Sequence, residues 1–155
     1  MRAVNVMAGI MNTAIFGGLL IACTHAYETA AAEIKCLADN IYFEALTESE
    51  AGQVAVANVT MNRVKHPAFP NSVCEVVWEP KQFSWTHDGK SDEPSSPSAY
   101  KEVYEIAEAV YYGNIVDITE GATFYHADYV NPGWAKSMQR VAKIDTHIFY
   151  KHEGR

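Results

Sequence analysis

Residues 34–53 read IKCLADNIYFEALTESEAGQ, and this stretch decides the fold of the chain. Its apolar side chains recur every three or four residues, the spacing of a helix with one buried face. They are Ile34, Leu37, Ala38, Ile41 and Ala45. Thr47 and Glu50 have the T-x-x-E spacing of a capping box, which predicts a second helix there and an end to the first at about Leu46.

Glu44 lies on the buried face of the first helix, where the periodicity predicts an apolar side chain. Carbonyl dipoles at a helix C-terminus disfavour negative charge, and the neighbouring Tyr42 and Phe43 limit hydration, so both effects raise the carboxyl pKa. A raised pKa suits a general acid that works near neutral pH. Glu44 is therefore the candidate catalytic acid, and the alternative is a surface glutamate at a frayed helix end.

The rest of the chain changes from helical to β-prone patterns at Gly113. Before it, helices are predicted at residues 48–65, 72–78 and 96–113, with an extended segment at 82–86. After it, short β-prone runs lie at residues 115–119, 122–126, 141–144 and 147–150, with a hairpin turn at Asp145 and Thr146. This order indicates an α+β fold that is mainly helical, with a small antiparallel β region in the C-terminal half.

The N-terminus has the features of an export signal or a membrane anchor. Residues 4–22 carry no charged side chain and are long enough to span a membrane, and only Arg2 precedes them, which places the remainder outside the cytoplasm. We assign residues 1–32 to this segment and expect an exported protein, periplasmic or membrane-tethered. Three fates stay open: lipidation of Cys23, ordinary signal cleavage, or an uncleaved anchor. A buried N-terminal core helix is the alternative to all three.

Two further cysteines, Cys36 and Cys74, lie on either side of the second predicted helix. Cysteines outside the cytoplasm often pair, and this disulfide would close a loop of about forty residues and contribute about 3–4 kcal/mol. The alternative is that both are small buried hydrophobic residues.

The formal net charge of −7 argues against a nucleic-acid partner, because binding requires cations opposite the phosphates. The C-terminal end is nevertheless locally basic, which indicates either a solvated face or attraction to an anionic polymer or membrane. Its cations are Lys136, Arg140, Lys143, Lys151 and Arg155. The histidine spacing matches no standard zinc pattern, so we expect no metal and no other cofactor.

Several blocks of sequence resemble, in order, the SleB-type cell-wall hydrolase family, which comprises spore-cortex lytic enzymes and their bacterial and phage relatives. The blocks are residues 36–45, 52–64, 69–74, 82–85, 121–126, 132–136 and 147–150. Because they cover nearly all of the chain after residue 32, we assign residues 33–155 to one SleB-like peptidoglycan-cleaving domain. The resemblance implies a lysozyme-like fold and a position facing the cell wall.

The resemblance also implies cleavage of the β-1,4 bond between N-acetylmuramic acid and N-acetylglucosamine, in cell-wall remodelling or phage-type lysis. Glu44 matches the family's catalytic glutamate, with Glu48 in support. A lytic transglycosylase is favoured over a hydrolysing muramidase, because one acid suffices when the muramic acid's own hydroxyl attacks. No nearby glutamate is obviously placed as a nucleophile.

Five residues are candidates to line a sugar cleft, because amides and hydroxyls bind sugar oxygens and aromatic rings stack on sugar faces. They are Gln53, Gln82, Ser84, Tyr125 and Trp134. Each of them has a structural role as its alternative.

Two other functions stay open at this point. Relatives typically have Arg-Gly where this chain has Leu46-Thr47, which motivates a catalytically weak murein-binding envelope module. The other is a metal-dependent amidase that cleaves the peptide stem. The expected partners are peptidoglycan glycan strands and, if the N-terminal segment is uncleaved or lipidated, the membrane; we expect a monomer.

Overall fold

The computed structural model describes residues 14–152, and side chains from residue 29 onward. The apolar run at residues 4–22 lies largely outside this part, and so does the side chain of Cys23, so the export signal and the lipidation stay predictions. Within the described residues, no helix is both long and apolar enough to cross a membrane. The chain divides into two units between residues 31 and 32, and all contacts below belong to the second.

The helices are α1 (Ala14–Ala45), α2 (Glu50–Lys65), α3 (Val73–Val77) and α4 (Pro97–Tyr111), with short 3-10 helices at Ser84–His87 and Gly133–Ser137. The predicted helices are therefore all present. The 3-10 turn at Ser84–His87 replaces the extended segment that was expected at residues 82–86, so that expectation is wrong. It brings Trp85 inward, where the indole N–H donates to the side chain of buried Asn40 at 3.1 Å.

The start of α2 differs from the predicted capping box. Ser49, not Thr47, caps the helix, and its hydroxyl accepts a hydrogen bond from the backbone N–H of Gly52. Ser49 is itself held by Asp145, whose carboxylate accepts from the Ser49 hydroxyl at 2.6 Å and from its backbone N–H at 2.9 Å. This contact with Asp145, 96 residues later in the sequence, stabilises a cap at Ser49, two residues after the predicted cap at Thr47.

The sheet contains β1 (Phe124–Ala127), β2 (Gln139–Ile144) and β3 (His147–Lys151), all antiparallel, in the order β1-β3-β2. The predicted hairpin turn between β2 and β3 is confirmed, with Asp145 in the left-handed region at a φ of 47°. The mainly helical α+β architecture is confirmed with it.

The β-strand expected at residues 115–119 does not form. Asp117 instead accepts hydrogen bonds from the backbone N–H groups of Thr119 and Gly121, at 2.7 and 2.8 Å. It also accepts one from the side chain of Asn62 on α2, at 2.9 Å. A short aspartate side chain that binds nearby backbone N–H groups favours a turn over a strand.

The core lies where α1, α2 and α4 pack together. The predicted buried face of α1 is confirmed, since every member of it is at most 2% exposed. On α4 the buried positions are Val103, Ala107 and Val110. A disulfide joins Cys36 of α1 to Cys74 of α3, with 5.2 Å between the Cα atoms, and fastens α3 to the helix that carries Glu44.

Candidate active site

Glu44 lies in the last turn of α1, half-buried in the wall of a cleft of about 450 Å³. The other walls come from Arg63 on α2, from the segment 81–87, from β1 and from the start of β3. The end of α1 therefore presents one carboxyl group to a space that is bounded by both the helices and the sheet.

Tyr125 holds one oxygen of this carboxyl group. Its hydroxyl donates a hydrogen bond to Oε2 of Glu44 at 2.8 Å. Burial beside Glu44 keeps the pKa of Tyr125 well above its ordinary value, so the hydroxyl retains its proton and remains a donor. Among the described residues, none donates a hydrogen bond to Oε1 of Glu44, which leaves that oxygen for a ligand.

Burial raises the pKa of Glu44, and it outweighs the hydrogen bond from Tyr125 and the charge of Arg63, which both lower it. The raised pKa keeps the proton on the carboxyl group to a higher pH than in water. Such a group can donate a proton to a bound molecule near neutral pH.

Arg63 lies behind Glu44 and is only 5% exposed. Its Nε–H donates to the backbone carbonyl of Thr123 at 2.8 Å, and Nη1 is buried without a partner among the described residues. Three phenylalanine rings surround the guanidinium, with their centroids 5.2–5.9 Å from Cζ. Thr123, which accepts the hydrogen bond from Nε–H, lies two residues before Tyr125. Arg63 therefore also helps to fix the position of Tyr125, which binds Glu44.

The cleft gathers three of the predicted sugar-binding residues around Glu44, namely Gln82, Ser84 and Tyr125. Gln53 and Trp134 do not line it. The side chain of Gln53 donates to the carbonyl of Leu46 at 3.4 Å and lies in another groove. The ring of Trp134, 36% exposed, packs in an aromatic cluster beside the sheet.

Glu48 lies outside the cleft and binds the β2–β3 turn. Its carboxylate accepts hydrogen bonds from the hydroxyl of Thr146 at 2.6 Å and from its backbone N–H at 3.1 Å. Gly52 allows this approach, because a Cβ there would lie 2.5 Å from Oδ2 of Asp145 and 2.7 Å from Cβ of Glu48. Glu48 thus connects the loop between α1 and α2 to the β2–β3 turn of the sheet.

Sequence reasoning missed several residues of the cleft, namely Arg63, Lys81, His87, His126 and His147. His147 is 8% exposed, its Nδ1 has no partner in the described part of the chain, and its ring lies 5.1 Å from that of Tyr125. Burial lowers the pKa of His147 and so favours its neutral form. Arg63 was detectable as the one charged residue between Ala51 and Val64 of α2, whereas the histidine spacing was compared only with zinc patterns.

No three side chains of histidine, cysteine, aspartate or glutamate within the described residues are placed to hold a metal ion. The cleft contains one carboxyl group, a tyrosine hydroxyl bonded to it and a buried guanidinium.

The Cell Wall Hydrolase family matches residues 47–150, a segment that begins three residues after Glu44. The chain is 35% identical over 118 residues to a spore cortex-lytic enzyme of Halalkalibacterium halodurans, and 34% identical over 118 residues to one of Bacillus subtilis. These alignments cover 76% of this chain but only 34% and 37% of the two relatives. The chain thus spans little more than a third of their length.

Two solved structures share the fold. The catalytic domain of the Bacillus cereus SleB protein superposes with a TM-score of 0.62 at 34% identity, over 77% of this chain and 89% of that domain. The catalytic domain of the germination-specific lytic transglycosylase SleB from Bacillus anthracis gives 0.63 at 34% identity, over 77% and 93%. The lysozyme-like fold implied by the resemblance is confirmed, and the chain belongs to the SleB-type cell wall hydrolase family.

Proposed function

We propose that this protein cleaves peptidoglycan between N-acetylmuramic acid and N-acetylglucosamine as a lytic transglycosylase, with Glu44 as its acid and base. The observation that carries the proposal is the carboxyl group of Glu44, which has a raised pKa, one oxygen held by Tyr125 and the other open to the cleft. Its relatives include a protein described as a lytic transglycosylase.

In the proposed first step, Glu44 donates its proton to the glycosidic oxygen as the bond from that oxygen to the muramic acid breaks. In the second step, a hydroxyl of the same muramic acid attacks the anomeric carbon and returns its proton to Glu44, which closes an anhydro ring. The carboxyl group ends as it began, and no water is consumed. One carboxyl group is sufficient for this sequence.

The remaining candidates have smaller roles in this proposal. Gln82 and Ser84 bind substrate oxygens from the segment 81–87 that lines the cleft, and Trp134 contacts the glycan strand beyond the cleft. Gln53 and Glu48 act indirectly: Gln53 braces the residues just after Glu44, and Glu48 holds the turn before His147.

We also propose that residues 1–32 direct export, as a cleaved signal, a lipoprotein signal cleaved at Cys23 or a membrane anchor, and that residues 33–155 work as a monomer on the periplasmic side. The disulfide between Cys36 and Cys74 supports an oxidising compartment. Fractionation of cells that express the whole chain tests this: recovery in the cytoplasm with reduced cysteines would contradict it.

Mass spectrometry of the soluble products from purified sacculi tests the activity. The wild-type chain should release anhydro-muropeptides, and Glu44→Gln should lower the rate about 10²–10⁴-fold, the usual range for losing a general acid. Reducing ends instead of anhydro ends would indicate a hydrolysing muramidase. Sacculi that bind the protein without release of product would favour the murein-binding module.

A further inference from the structure

The cleft differs in charge from the rest of the protein. The chain carries 19 acidic and 12 basic residues, a net charge of −7. Among the described residues that line the cleft, however, Glu44 is the one carboxyl group, whereas Arg63 and Lys81 are both cations. Because burial favours the protonated form of Glu44, the charged side chains that line the cleft are mainly cations, although the chain as a whole is acidic.

Arg63 forms no ion pair with another described side chain. The ion pairs between described residues join Lys35 to Asp39, Lys90 to Asp88, Lys101 to Glu105 and Lys143 to Asp128, so Arg63 takes part in none of them. Burial lowers the pKa of Arg63. Tyr125, Glu79 and Glu44 oppose this shift and favour the charged form, and of these three Glu79 does not line the cleft. Because its unpartnered Nη1 is buried, Arg63 would act on a ligand through its charge and not through a direct hydrogen bond.

Lys81 lies exposed at the rim, and it too is absent from the ion pairs of the described residues. Its backbone has a φ of 69°, in the left-handed region that lysine rarely adopts. The turn that requires this conformation also places the neighbouring Gln82 in the cleft wall.

We propose that the cleft recognises carboxylate groups on its glycan, with Lys81 contacting the carboxylate at the rim and Arg63 adding positive charge from beneath. This inference rests on the proposed function, because the muramic residues of peptidoglycan carry either a free lactyl carboxylate or, where a peptide stem is attached to it, the carboxylates of that stem. Neutral glycans such as chitin oligosaccharides offer no such group. The two cations would therefore select the acidic polymer.

Isothermal titration calorimetry with the full chain carrying Glu44→Gln tests the proposal without turnover. The main probes are a stem-bearing muropeptide tetrasaccharide with free carboxylates and the same compound after amidation of those carboxylates. We expect the free acid to bind about tenfold more tightly at low salt, and the difference to shrink as salt screens it. A peptide-free tetrasaccharide with lactyl carboxylates, run alongside, distinguishes lactyl from stem recognition.

Lys81→Asn should remove most of this preference, since asparagine tolerates the left-handed backbone but has no charge. Lys81→Arg should keep it. Lys65→Gln, which removes one exposed lysine outside the cleft, is the matched control and should leave the preference unchanged.

Equal affinity for the free and amidated probes, no measurable binding of the free acid, or an equal loss in Lys65→Gln would overturn the inference. Because wild-type cleavage of sacculi is measured separately, a failed preference with intact cleavage would refute only carboxylate recognition. An absence of cleavage would instead refute the proposed function.

Discussion

The hydroxyl of Tyr125 donates a 2.8 Å hydrogen bond to Oε2 of Glu44 across 81 residues of sequence. This bond joins the end of the first helix to the edge strand of the sheet. It orients the carboxyl group so that Oε1 remains open to the cleft, and it stabilises the carboxylate that forms when the proton leaves.

Tyr125→Phe should move the alkaline limb of the activity profile to higher pH. The hydrogen bond from Tyr125 lowers the pKa of Glu44, so its loss raises that pKa further and keeps the acid protonated to a higher pH. The maximal rate should fall about tenfold, because the carboxylate loses a donor in the transition state. The pH dependence of kcat and of kcat/KM on soluble glycan strands measures both effects. An alkaline limb at the wild-type pH together with the wild-type maximal rate would contradict both expectations.

Glu44→Gln should stabilise the fold at neutral pH. Because the pKa of Glu44 is higher in the folded than in the unfolded protein, its stabilising contribution is complete below the unfolded pKa and is lost as pH rises through the folded pKa. Glutamine does not ionise. Urea unfolding of the two proteins should therefore agree at low pH and diverge in favour of the variant as pH increases. A wild type that gains stability over the variant on the same rise in pH would refute the raised pKa.

Gly52→Ala should destabilise the protein by about 1–3 kcal/mol, the usual range for overpacking. The added Cβ would lie 2.5 Å from the Asp145 carboxylate that binds Ser49, so the contacts of Ser49 and Glu48 with the β2–β3 turn must shift. Gly133→Ala is the matched control, because a Cβ there meets nothing within 4 Å. Chemical unfolding measures the stability of both variants. Equal stability would show that the side chains of Asp145 and Glu48 leave room for a Cβ at residue 52.

Removing the disulfide with Cys36→Ala and Cys74→Ala together should lower the unfolding free energy by about 2–4 kcal/mol, because the bond closes a loop that otherwise gains entropy on unfolding. Unfolding of the wild type with and without a reducing agent provides the second measurement. The reducing agent should destabilise the wild type and leave the double variant unchanged. A wild type that is insensitive to reduction would contradict a structural role for this bond.

Part of the site could be predicted from local sequence. The periodicity of α1 placed Glu44 in the last turn of a buried helical face, and the structure ends that helix at Ala45. The predicted helices and the β2–β3 hairpin were also correct, because burial patterns and turn residues act over a few positions. The capping signal at Thr47 was misleading, since Ser49 has a partner in Asp145, 96 residues away.

The sequence by itself determined which faces of the helices are buried, where the chain turns and which carboxyl group interrupts an apolar face, because those properties depend on spacing along one segment. Only the tertiary structure decided what surrounds that carboxyl group. Tyr125 comes from a strand, Arg63 from another helix and Lys81 from a left-handed turn. Hydrogen bonds and charges act through space, so their effect on Glu44 exists only once the helices and the sheet have packed together.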